Sequence, residues 1–122
     1  MKSSIIIAII FGLVTSMTLT LIEGNKVWIQ NKVERGCFTR AAATQIHDEE
    51  GWEWDKDGID NRGQWTHNGY YLYIPEDVKT YWLVFGVLYS TEEDKWRGPF
   101  ENDGDKCWHF HGTLDNWKIY GC

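Results

Sequence analysis

A chain of 122 residues with 18 acidic side chains against 12 basic ones is sized for one domain and carries a formal charge of −6. That acidic balance excludes tight, non-specific nucleic-acid binding, which needs a basic footprint, although it leaves room for a pocket with a few local cations. No Asn-x-Ser/Thr triplet occurs, so N-glycosylation is not expected.

The chain opens with Lys2 and then SSIIIAIIFGLVTSMTLTLI, a basic tip followed by an apolar run. This pattern predicts a secretory signal peptide over residues 1–22 and a mature domain over 23–122. A single-pass anchor is the competing reading, because the run approaches the roughly 20 residues a membrane span needs. Thr15, Ser16, Thr18 and Thr20 interrupt it, and no basic cluster follows at once. Once the leader is removed no membrane association is expected, and the net charge moves to near −7, since Lys2 goes with it.

The three cysteines, Cys37, Cys107 and Cys122, would lie in an oxidising compartment, where two should pair and one is left over. Spacing alone does not choose among the three pairings. A bridge to the terminal Cys122 would gain most by closing a long loop, which removes the most entropy from the unfolded chain. A domain of about 100 residues benefits from such a staple, because its core is modest.

KVWIQ, residues 26–30, alternates as a first short strand. CFTRAAATQIHDEEG, residues 37–51, predicts a helix. Phe38, Ala41, Ala42, Gln45, Ile46 and Glu49 recur at helical spacing, the alanines have the best helix propensity, and Gly51 is placed to stop it. Residues 52–64 are polar and turn-rich, a long loop with room for a hairpin. Strand signals then crowd together: GYYLYI at 69–74, TYWLVFGVLYS at 80–90 as a strand buried on both faces, WRGPFE at 96–101, CWHFHG at 107–112 and NWKIYGC at 116–122. One helix packed on an antiparallel sheet of about five strands is an α+β domain. A rival all-β reading dissolves the helix and makes a sandwich.

On an extended strand Cys107, His109 and His111 share one face, and Trp108 and Phe110 the other. Cysteine and histidine are zinc ligands, but three in a row on one strand do not close a tetrahedron. The plainer reading puts the rings in the core and the histidines toward solvent. A third makes one histidine a proton donor or acceptor near neutral pH. WEWDKDGID, residues 52–60, reads as a solvated acidic loop, without the twelfth-position glutamate of a calcium-binding EF-hand. Tyr70, Tyr71 and Tyr73 could stack on bases or sugars, or simply pack across strands. Glu92, Glu93 and Asp94 read as a turn, and His47 as a favourable contact at the helix end.

Taken together, the order of features resembles the small guanyl-specific fungal ribonucleases. AAATQIHDEEG is similar to that family's alanine-rich helix, and Trp65–Thr66–His67 stands where the family has Tyr-x-His. RGPFEN, from Arg97 to Asn102, stands where an arginine precedes a strand, and HGTLDNWKIYGC ends like the family in a turn, a strand and a terminal cysteine. The resemblance implies one helix on a curved antiparallel sheet, stapled by a disulfide. It carries His67, Arg97 and His111 onto catalytic positions, with Arg97 as the phosphate clamp and His111 as the general acid. Two departures leave that set incomplete. Trp65 replaces a tyrosine, and Tyr81 occupies the position of the glutamate base, with Glu76 or Asp77 as nearby substitutes. The family's N-terminal cysteine is missing, and Cys37–Cys122 becomes the favoured pairing, with Cys107 as the alternative partner.

A secreted ribonuclease-like domain with a broken catalytic set looks like the RNase-like effectors of powdery-mildew fungi. That resemblance implies a virulence or avirulence protein, a pseudo-ribonuclease rather than an enzyme. It would be monomeric, delivered outside or into the cytoplasm of a plant host cell, and would act by binding a host protein, an immune receptor or, weakly, RNA. No cofactor or metal is expected. Trp65, Tyr70, Tyr71 and Tyr73 are the candidate binding residues. The alternatives are an active guanyl-preferring endoribonuclease, a six-stranded β-sandwich effector with no ribonuclease relation, and a sugar-binding module suggested by the aromatic content.

Overall fold

The structure is a computed structural model, and it describes residues 24–65 and 68–122. The expected signal peptide and His67 lie outside the described residues.

Eight strands follow one another: β1 Asn25–Val33, β2 Thr39–Thr44, β3 Asp60–Gln64, β4 Tyr70–Ile74, β5 Thr80–Val87, β6 Lys95–Glu101, β7 Lys106–Thr113 and β8 Asn116–Gly121. They form two four-stranded sheets, the first in the order β4-β1-β7-β8 and the second in the order β3-β2-β5-β6. All pairings are antiparallel except β1 with β7, which run parallel from Val27 opposite Lys106 to Val33 opposite Gly112.

The two sheets pack face to face, as sheets that each carry one apolar face must. Alternation supplies that face. In β1, Val27, Ile29, Asn31 and Val33 are buried while Trp28, Gln30 and Lys32 are exposed. In β4, Leu72 and Ile74 are buried while Tyr71 and Tyr73 are exposed. Tyr81, Leu83 and Phe85 from β5 meet Phe110, Trp117 and Ile119 from β7 and β8 in one core. A polar chain crosses this core: the Thr39 hydroxyl donates to Asn31 Oδ1 at 2.7 Å and lies 3.2 Å from the Tyr70 hydroxyl. It ties β2 of the second sheet to β1 and β4 of the first.

The α+β expectation is overturned, because the described residues are all-β with no helix. The predicted helix over 37–51 is instead β2 followed by turns. Tertiary context outweighs alanine's propensity here. Ala41 and Ala43 face the core, and the β2 backbone is paired on both sides, by β3 and β5. Ala42 and its partner Val84 are fully buried yet lie outside the core cluster. They face outward, beneath the segment that follows β2. Two residues from Val84, a methyl group on Gly86 would lie 3.2 Å from the Trp54 indole and 2.5 Å from the Asp94 carboxylate. Small residues on this face make room for large rings above it. The six strand signals all fall on strands, and the expected loop over 52–64 also contains β3. Eight strands in two sheets also exceed the six-stranded alternative.

Candidate functional site

The outer surfaces of the two sheets differ. The second sheet is roofed by the segment between β2 and β3. His47 stacks on Trp82 with ring centroids 3.8 Å apart, and Trp52 packs edge-on against Trp54 and Trp96. The Arg40 guanidinium lies 4.1 Å above the Trp54 ring, and Trp54 Nε1 donates to Asp94. Burial pushes the Asp94 carboxyl up, against the opposing pull of the Trp54 hydrogen bond and of Arg40. A hollow of about 370 Å³ beside this roof is lined by Glu49, Trp52, Glu92, Glu93, Asp94 and Trp96, among others. Glu92 is already engaged there by Lys95 Nζ and by the backbone N–H of Trp117, which hold its carboxyl below the usual range.

Among the described residues, nothing roofs the outer face of the first sheet. Period-two alternation places its outward residues in rows across the strands. Tyr73 is opposite Lys26, and Tyr71 is opposite Trp28, which is opposite Cys107. Gln30 is opposite His109, which is opposite Tyr120, and Lys32 is opposite His111, which is opposite Lys118. The rings touch: Trp28 and Tyr71 at 5.0 Å, His109 and Tyr120 at 5.5 Å, His109 and His111 at 6.3 Å. Lys26 Nζ lies 4.9 Å from the Tyr71 ring centre and 5.6 Å from that of Trp28. Burial, then Lys32 and His111, hold the His109 imidazole below its ordinary value.

The four strands of this sheet contain no Asp or Glu, in a chain that has 18. The nearest carboxylates stand at the rim and accept backbone N–H groups: Asp105 from Lys26, Asp60 from Tyr73 and Glu34 from Leu114. The face also carries the disulfide, Cys107–Cys122, with Cα atoms 5.3 Å apart, beside Trp28.

The residues singled out in the sequence are therefore scattered. His111 is exposed on the first sheet, whereas Arg97 belongs to β6, the edge strand of the second, where its guanidinium donates to the Trp96 carbonyl. Tyr81 is fully buried, and burial together with Asp103 and Asp105 pushes its phenol up to about 12, so it is a core ring and no base. Glu76 and Asp77 stay in the turn between β4 and β5. The Cys37–Cys122 pairing is corrected to Cys107–Cys122, and Cys37 is free and buried. Cys107 therefore has no free thiolate to offer a metal. Of the candidate binding residues, Tyr71 and Tyr73 stand together on the bare face. Tyr70 turns inward to Thr39, and Trp65 packs edge-on against Phe38 at the end of β3. Strand alternation in YYLYI already separates Tyr70 from Tyr71 and Tyr73. Trp28 was missed as a site residue, although its alternation with Val27 and Ile29 marks it as outward.

Comparison with protein-family models finds no match, and comparison with curated proteins finds none either. Among solved structures, the crystal structure of the human-specific toxin intermedilysin is similar at a TM-score of 0.48 and 12% identity, over 80% of this chain and 23% of that one. The chain thus spans less than a quarter of the toxin's length, and a likeness at that level carries no functional argument.

Proposed function

We propose that this chain is a secreted, non-enzymatic binding module of the effector type, acting on a host through the outer face of the β4-β1-β7-β8 sheet. The observation that carries this reading is the bare face itself. Its strands carry no Asp or Glu in an acidic chain, it is studded with exposed Trp28, Tyr71, Tyr73 and Tyr120, and none of the described residues covers it while the opposite sheet is roofed. Trp and Tyr are the residues that most often anchor interfaces, because they bury large rigid areas at low entropic cost. The leader-like N-terminus and the exposed disulfide support secretion. The non-enzymatic part rests on the separation of Arg97 from His111 and on the burial of Tyr81. The ribonuclease scaffold, and the plant-specific partners that came with it, have no support in an all-β fold.

The test has two arms. A photo-crosslinker at position 118, on the bare face, is compared with one at position 53, in the segment over the second sheet, using host extract and excess unlabelled protein as competitor. The reading expects a competed adduct from position 118 that a Trp28→Ser/Tyr71→Ser competitor fails to displace. Equal adducts from both positions would overturn the assignment of the face. In the second arm, disulfide-intact protein is incubated with guanine-containing RNA, and turnover abolished by His111→Ala would overturn the non-enzymatic reading.

A further inference from the structure

Three features of the bare face narrow what it takes. Its outward positions offer Lys26, Lys32 and Lys118 with no carboxylate among them, so an anionic ligand is complementary. Its exposed rings offer flat apolar surface between those cations. The third feature is the Cys107–Cys122 bridge, which is built into the face and joins β7 to the end of the chain next to Trp28. A bridge of this kind persists only in an oxidising compartment, so the intact face exists outside the reducing cytosol, and its ligand must be found there. The overall charge of −6 disfavours a long nucleic acid, whose binding draws on an extended basic footprint. A pyranose ring presents an apolar face of C–H bonds that packs on Trp or Tyr, and uronate or sulfate groups supply the negative charge.

We propose that the face binds an anionic polysaccharide, its sugar rings stacking on Trp28, Tyr71 and Tyr73 while Lys26, Lys32 and Lys118 meet its acid groups. The inference rests on the bare face being the binding surface. Four strands span about 14 Å, enough for about three sugar rings across the sheet. The groups facing the histidines are Gln30 and Lys32 from β1, Tyr120 and Lys118 from β8, and the two imidazoles themselves on β7. None is an Asp or Glu side chain, so a proton gained by His109 adds positive charge that a bound anion can neutralise. Carboxylic acids of the uronate type stay ionised at about pH 5, so an anion on this face would favour the His109 proton that burial, Lys32 and His111 disfavour in the free protein.

The test is titration calorimetry of the full secreted chain, disulfide intact, against oligogalacturonate, its methyl ester, sulfated dextran fragments and single-stranded RNA, at pH 5 and 7.5. Binding of the carboxylated or the sulfated chain is expected, and comparing the two identifies which acid group is recognised. The methyl ester should bind at least about tenfold more weakly, and pH 7.5 should weaken binding about threefold, the effect of losing the His109 charge. Trp28→Ala/Tyr71→Ala and Lys32→Glu/Lys118→Glu, both at exposed positions and checked for native circular dichroism, should each lose about tenfold or more. His109→Gln should bind at pH 5 more nearly as wild type does at pH 7.5. No affinity for either anionic glycan, equal affinity for the ester, or a preference for RNA overturns the inference. If another ligand is lost with Trp28→Ala/Tyr71→Ala, the binding surface survives and only its ligand class falls. If glycan binding is indifferent to those substitutions, the surface itself falls.

Discussion

Trp28 and Tyr71 sit opposite each other on β1 and β4 with ring centroids 5.0 Å apart and planes inclined at 52°, and Lys26 Nζ hangs over both. The pair is half-exposed on a face whose strands carry no Asp or Glu. Its geometry follows from the pleat, since directly opposed residues on neighbouring strands bring their side chains together. Removing both rings leaves the core contacts of Val27, Ile29 and Leu72 in place. Trp28→Ala/Tyr71→Ala should therefore change unfolding free energy by no more than about 1 kcal/mol, as exposed substitutions do. A urea titration checks this, and a loss of several kcal/mol would mean that the rings hold the fold rather than serve a surface.

The hydroxyl of Thr39 links the two sheets through two polar neighbours. It donates to Asn31 and lies against Tyr70, and both neighbours come from the opposite sheet. Thr39→Val keeps the volume and removes the link. The expected cost is about 1–3 kcal/mol, the penalty for leaving a buried polar group without its bond. Thr39→Ser should recover most of it. Equal urea midpoints for Val and wild type would show that the chain contributes nothing net.

Much of this architecture was legible in the chain. The alternation in KVWIQ, GYYLYI and CWHFHG predicts both the strands and, residue by residue, which side chains face out. Ala41–Ala43 were not legible, because three small residues satisfy a helical stripe and a crowded strand equally well. The Trp52 and Trp54 rings fold back over the second sheet, on Trp96 and Arg40, and that contact spans too much sequence for a local pattern to reveal. The disulfide was likewise undecided by spacing. Pairing β7 with β8, Trp108 opposite Gly121, is what carries Cys122 to Cys107. Arg97 and His111 fall on different sheets for a related reason: the order of residues along the chain says nothing about which sheet each strand joins.

Gly86 tests the roof over the second sheet. A methyl group there would lie 2.5 Å from Asp94 Oδ1 and 3.2 Å from the Trp54 ring. Asp94 is held by Trp54 Nε1, so the carboxylate and the indole would have to shift together. Gly86→Ala should cost about 1–3 kcal/mol, the range for overpacking a tight site, and should blue- or red-shift tryptophan emission. A variant as stable as wild type with unchanged emission would show that the roof is loosely seated.

Reducing the Cys107–Cys122 bridge, or replacing both residues with alanine, should lower stability by about 3 kcal/mol for the 15-residue separation it closes. Cys37 should remain unreactive to thiol reagents in the folded protein. It is buried, and burial together with Glu34 and Asp115 pushes its thiol up, which leaves little thiolate. Mass spectrometry after alkylation of the native protein should find no label at Cys37. Rapid labelling there would contradict its buried position between the sheets.

Acid should weaken the unliganded fold through His109. Its imidazole is held below 6.5 by burial, Lys32 and His111, so between the folded and unfolded values the unfolded chain binds more protons. Stability therefore rises with pH through that window. The contribution is fully present above the unfolded value and is lost as pH falls through the depressed folded one. Urea midpoints measured from pH 7.5 down to pH 5 should decline, and His109→Gln should flatten the decline. Lys32→Gln removes one of the charges opposing the proton; it brings the folded value closer to 6.5, so the decline should end at higher pH and its amplitude should shrink. An anion bound across Lys32 and Lys118 should act in the same sense, so that ligand reverses the acid sensitivity of the free protein. A decline that neither substitution alters would place the acid-sensitive group elsewhere.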